Sequence, residues 1–315
     1  MSHRHVYVLE KFQIQLATAA AVAVVYVLAW PVVCPLDPQG PLTFLPTGNL
    51  AGLAALAGIV LLLAAAAAVL TAYARPAGAL VVAFLGASGV SLRSPSIRTL
   101  LWRADQHMPG VYAQLLAEMA ILGLLLAAAA AVVFGLRWLI GAINPRWLWP
   151  DPAARAGFCH EGPQGKAPAG KGATAAKAAG TAQRSVLLQA VLCFVAGAAF
   201  AAVLLLALLR SGDRGQVLFA VFAGSLLAVL LAQQLFPSRY SVTAWAMPVV
   251  VAMGFYVLAA LTAGTSEQAW MRVPHYGNIL PVDWLTAGVG GAAGGFWVAA
   301  RLREVRHLEE QTERG

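Results

Sequence analysis

Charge is scarce in this chain: 11% of its 315 residues are Asp, Glu, Lys or Arg. Soluble domains carry about 25%, so the scarcity excludes a surface polar enough to stay in water. Cysteine is scarcer still. Cys34, Cys159 and Cys193 stand far apart with no CxxC pair, which speaks against a disulfide framework or a structural zinc site. Cys159-His160-Glu161 lacks the two further ligands that a metal needs. There is no Walker loop, HExxH, GxSxG or paired-Asp motif, and no metal or cofactor is expected. Period-two alternation is missing too, which excludes a β-barrel.

Apolar length is what the chain has in abundance. Hydrophobic residues make up 60% of it, and the mean hydropathy is +0.74. A helix crosses the hydrocarbon core with about 20 apolar residues, in a range of roughly 17–25. Eight runs qualify: 12–33, 49–73, 76–92, 112–134, 185–209, 216–236, 241–264 and 284–300. The third and last are short, and the fourth contains Glu118. The first exceeds the roughly 7–15 residues of a signal-peptide core and reads as a retained helix. The expected fold is an all-α polytopic transmembrane bundle of about eight spans, with the lipid bilayer as its first partner.

The net charge of +8 sorts by loop and needs no nucleic acid to explain it. With eight spans and both termini in the cytoplasm, fifteen of the 21 Lys and Arg lie inside, as the positive-inside rule asks. Six lie outside: Arg93, Arg98, Arg103, Arg210, Arg214 and Arg272. Treating 76–92 as re-entrant would leave nine inside and twelve outside, against the rule. The expected location is a bacterial inner (plasma) membrane.

Four segments follow: a first membrane half at 1–142, a basic low-complexity cytoplasmic linker at 143–184, a second half at 185–302 and a charged tail at 303–315. The Gly-, Ala- and Lys-rich linker reads as a flexible tether. The four-plus-four layout resembles a parallel duplication, although hardly any residues repeat.

The outer connections carry the chemistry worth naming. Near 95–108, Ile97, Leu100, Leu101, Ala104 and Met108 share one side of a helical wheel, with Arg98, Trp102, Arg103, Asp105 and Gln106 on the other. This predicts a short amphipathic helix in the outer interface, its apolar stripe toward the bilayer. Its polar side places Arg98 two turns from Asp105 and Arg103 at i,i+4 from His107, a set suited to phosphate or carboxylate groups. The later loop adds Glu267, Arg272, His275 and Asp283. Glu118 is the one formal charge deep in a run. Such a carboxylate faces the bundle and pairs, with Arg98, Arg103 or Arg272 as partners, or else snorkels outward. A proton or cation site is its functional reading.

Gly290/Gly294 and Gly291/Gly295 form two overlapping GxxxG pairs that let another helix approach closely, a protein partner included. Pro248 and Gly254 predict a kink in the seventh span. Gln189, Gln233 and Gln234 predict hydrogen bonds between helices. Together these features lead to a non-enzymatic membrane protein, a transporter-like bundle or an integral subunit of a membrane complex. The alternative is a membrane enzyme with an outer-face site for an anionic lipid or lipid-linked substrate. That reading requires Arg98, Arg103, Asp105, His107 and Glu118 to converge on one cavity with Glu267, His275 or Asp283.

Overall fold

A computed structural model describes residues 3–35, 37, 39–72, 74–104, 107–143, 172–238, 240–263, 271 and 273–313. All regular structure among them is helical. Helix α1 (His3–Val24) continues through a π-helical turn (Val25–Ala29) into the short α2 (Trp30–Val33). Then come α3 (Leu50–Leu70), α4 (Pro76–Arg93), α5 (Arg98–Ala104), α6 (Met108–Ile143), α7 (Gly172–Leu208), α8 (Arg214–Leu235), α9 (Val242–Trp245) and α10 (Met247–Thr262). A 3₁₀ turn (His275–Asn278), α11 (Pro281–Asp283), a second π-helical turn (Trp284–Gly288) and α12 (Val289–Glu313) complete the order.

Seven helical stretches are long and apolar enough to cross a membrane. The eighth expected span, the π turn leading into α12, is helical but does not reach the same apolar length. Packing supplies the reason. Residues 277–293 are all buried, so this helix faces protein and needs little lipid affinity. The third span behaves alike: 72% of α4 is buried, against 17–50% for the other six. Helices α4 and α12 pack on each other at the centre, with α1 and α3 against α4, α8 against α12, and α6 and α10 closing the ring. The central pair are the third and eighth spans, which are not equivalents in a four-plus-four duplication.

Small residues bring the central helices close. A Cβ on Gly291 or Gly295 would fall under 3.0 Å from the Phe222 or Leu226 carbonyl of α8, and one on Gly290 would strike Leu85 of α4. Gly294 has only Leu226 Cδ1 nearby, at 3.8 Å. The close approach these glycines permit is thus made within the chain. A second stripe, Gly78, Gly86 and Gly89 on α4, seats Ile14, Ala21 and the Val22–Tyr26 backbone of α1.

Alternation of the spans defines two faces. Among the described residues, the loop face carries 34, 35, 37, 39–49, 94–104, 107, 209–213, 263, 271 and 273–280, and the terminal face carries the start of α1 and the end of α12. On the terminal face, buried Glu10 accepts hydrogen bonds from the Arg75 amide (3.2 Å) and the Trp297 indole (3.3 Å), and Glu304 pairs with Arg75. Arg137 is buried inside α6 and donates to the carbonyls of Thr71, Ala72 and Ala74, just past the end of α3. Gln233 and Gln234 receive Arg303 and Arg306 of α12, whereas Gln189 is exposed. The seventh span does break, at Ala246 between α9 and α10, and Pro248 lies in the first turn after the break. Helix α7 takes in residues 172–184 from the end of the basic segment; residues 144–171 lie outside the described set.

Candidate functional site

The loop between α2 and α3 folds inward. Four prolines (Pro35, Pro38, Pro41, Pro46) reduce the number of N–H groups it brings with it, and residues 40–44 are buried. Irregular backbone at membrane depth persists only where its polar groups find protein partners, and the buried amides of Gly40, Leu42, Thr43 and Phe44 have them. The Leu42 amide donates to Ser94 Oγ (2.9 Å), and those of Phe44 and Leu45 donate to Glu118 Oε2 (2.7 and 3.0 Å). Gly48, at φ +70°, turns the chain back. Asn49 then caps α3 through its side chain, accepting from the Gly52 amide at 2.9 Å.

Glu118 is therefore a ligand for loop backbone. It neither pairs with Arg98 or Arg103 nor reaches the headgroups, and Arg272 lies outside the described residues. It is fully buried, ten residues or about 15 Å into α6. Oε1 is buried with no hydrogen-bond partner, and no cationic side chain bridges to the carboxylate among the described residues. Around it, Tyr112 donates to the Gly277 carbonyl (3.2 Å) and Tyr256 to that of Ile279 (2.9 Å). Tyr256 lies within electrostatic range of Glu118, Asp283 and Tyr112. The buried region thus joins α6, α10 and the start of the last span.

Asp283 is also fully buried, and its partner is Arg214. Two guanidinium nitrogens meet its two carboxylate oxygens at 2.5 Å each, a bidentate geometry. Arg214 also donates to the Ser91 carbonyl from Nε (3.2 Å) and Nη2 (2.8 Å). Ser91 Oγ lies 3.0 Å from Thr286 Oγ1. The Leu280 amide donates back to Asp283 at 3.0 Å. The pair ties α8, α4 and α11 together beneath the loop face.

Helix α5 corrects one expectation. Ile97, Leu101 and Met108 are completely buried, while Trp102 is 60% exposed. The apolar stripe packs on the bundle, because the inward loop and the helix ends beneath offer it an apolar seat. The polar side holds the loop in place: Arg103 pairs with Asp37, and Thr99 Oγ1 donates to the Gln39 carbonyl at 3.2 Å. The Gln39 amide and the Arg103 guanidinium hold the Asp37 carboxyl below the usual carboxylate range.

Arg98 goes elsewhere. Its guanidinium lies over Gly212, where a Cβ would stand 2.6 Å from Nη2. It lines a cavity of about 210 Å³ with Met271, Val273 and Asn278. The six described residues among the nine marked in the sequence therefore separate. Arg103 serves the first loop, Glu118 the buried amides, Asp283 the ion pair and Arg98 the cavity. His107 and His275 are exposed, and Asp105, Glu267 and Arg272 lie outside the described residues. Among the described residues, the convergence required of a membrane enzyme is not formed.

Tyr112, Tyr256, the 34–49 loop and the role of Arg214 escaped the sequence reading. The only signal for Arg214 was its place among six arginines on the disfavoured side. The loop's four prolines were its own.

These elements define a polytopic α-helical membrane protein with buried polar groups beneath both of its faces. No protein-family model, curated protein or solved structure matches the chain.

Proposed function

We propose that the chain is a non-enzymatic, transporter-like bundle in which Glu118 handles a proton or a small cation. The observation that carries this reading is the Glu118 carboxylate, fully buried with Oε1 unpartnered. A buried carboxylate with only neutral donors and no counter-charge is costly, and taking up a proton or cation removes that cost. The inward loop seated on Oε2 then covers the site. It is held by the buried Leu42 and Phe44 side chains, a few hydrogen bonds and one exposed ion pair, all of which an opening would have to release. The π-helical turns at Val25–Ala29 and Trp284–Gly288 both pack against α4, and such turns supply local play in otherwise regular helices.

The test is flux. The purified chain is reconstituted into liposomes, and proton, sodium and potassium movement is followed under an imposed potential. Flux above that of empty vesicles, reduced at least tenfold by Glu118→Gln, is the expected result. If the wild-type chain moves none of the three and co-purifies with stable partner subunits, the transport reading fails and a subunit of a membrane complex replaces it.

The orientation proposed with this function puts both termini in the cytoplasm of a bacterial inner-membrane protein, on the strength of the lysine and arginine bias. Single cysteines introduced between positions 151 and 183 are expected to resist a membrane-impermeant thiol reagent in intact cells and to react after lysis. Labelling in intact cells would reverse the assignment.

A further inference from the structure

We infer that the cavity between Arg98, Gly212 and Asn278 is a binding site for a phosphate-type anion on the loop face. Three of the other arginines on this face have partners, while Arg210 is exposed. Arg103 is paired with Asp37 and Arg214 with Asp283. Arg93 donates to the Tyr26 carbonyl (3.2 Å) and lies over the Tyr26 and Trp30 rings at 5.2 and 5.3 Å. The Arg98 side chain is exposed and has no carboxylate or carbonyl acceptor among the described residues. It is laid against the 209–213 loop at a glycine, and any side chain there would displace it.

The space beside it is shaped by three connections. Arg98 of the first and Met271, Val273 and Asn278 of the third line it, and Gly212 of the second lies against the guanidinium. Asn278 is 95% buried (5% exposed) and supplies an amide that donates to anionic oxygens. A cavity of about 210 Å³ admits one tetrahedral oxyanion and a few waters, and is too small for a drug-sized ligand, whose pockets run to roughly 300–1,000 Å³. A planar fork of donors held flat at one wall is the geometry that receives phosphate oxygens in pairs. The same chemistry fits a free phosphate or the headgroup of an anionic phospholipid. Trp102 of α5 and Met271 at the cavity edge are about 60% exposed, which places the opening beside an apolar surface that lipid can reach. This site does not depend on Glu118 and stands or falls apart from the transport reading.

The experiment uses the full chain in two arms. In zwitterionic detergent, inorganic phosphate is titrated at constant ionic strength, with chloride as control, and affinity is read from the shift of the unfolding midpoint. In nanodiscs of phosphatidylcholine with a minor share of phosphatidylglycerol, retained phosphatidylglycerol is counted by native mass spectrometry. Saturable binding in either arm is expected, weakened about tenfold or more by Arg98→Gln and less by Arg98→Lys, which keeps the charge without the fork. Gly212→Ala is expected to weaken it too, because it dislodges the guanidinium without removing it. Binding in the first arm alone identifies a free anion, and in the second alone a lipid headgroup. No saturable binding in either arm, or binding equal in wild type and in both well-folded Arg98 variants, overturns the site.

Discussion

Replacing Arg214 with alanine is expected to destabilise the bundle by about 3–5 kcal/mol, read as a large drop in the thermal midpoint of the purified protein in detergent. The substitution removes both guanidinium donors from a fully buried carboxylate, leaving Asp283 with the Leu280 amide. It also frees the Ser91 carbonyl, which takes two of the arginine's donors. The Asp283→Ala variant should lose a comparable amount, because it strands a largely buried cation. Removing both together, Arg214→Met with Asp283→Leu, should cost much less than the sum, since a buried pair exchanged for apolar side chains is often near neutral. Additive losses in that cycle would mean that the two groups act on separate neighbours and that the clamp described here is not a unit.

The second large effect belongs to the last helix. Gly291→Ala and Gly295→Ala each place a methyl against a carbonyl oxygen of α8, at a separation real side chains do not adopt. Backbone cannot swing aside as a side-chain tip can, so α8 and α12 must part along their length. Overpacking of this kind costs about 1–3 kcal/mol when the surroundings yield, and more is expected here because the obstacle is main chain. Gly294→Ala meets only the end of a leucine and should be nearly silent. Size-exclusion profiles and thermal midpoints of the three alanine variants provide the comparison. Equal tolerance at all three positions would contradict the packing described.

How much of this was legible follows from the range over which each interaction acts. Apolar length is a property of consecutive residues, so the spans could be read directly, even for α4, whose reading as a re-entrant segment the charge bias correctly disfavoured. The glycine pairs were visible because close packing repeats every four residues along one helix. Glu118 was conspicuous for its setting, but its partners were not, because backbone amides look the same in every residue of a sequence. Arg214 and Asp283 stand 69 positions apart, and no local pattern joins them. Helix α5 shows a different limit. Its two-sided composition predicted the helix and its apolar stripe, but a stripe is equally content against lipid or against protein. Only the inward loop, itself unforeseen, decided between them.

The central place of α12 bears on how the molecule is made. The helix that fills the middle of the bundle follows every other span in the chain, so seven neighbours enter the bilayer before it exists. Until it arrives, α4 has its Leu85 side unfilled, α8 exposes the carbonyls of Phe222 and Leu226 to whatever stands beside them, and Arg214 awaits Asp283. The earlier spans therefore enter the membrane as an open cluster, and completion is a single late event. Biogenesis of this protein should accordingly be most sensitive to changes in α12: the assembly closes from the inside, with its keystone delivered last.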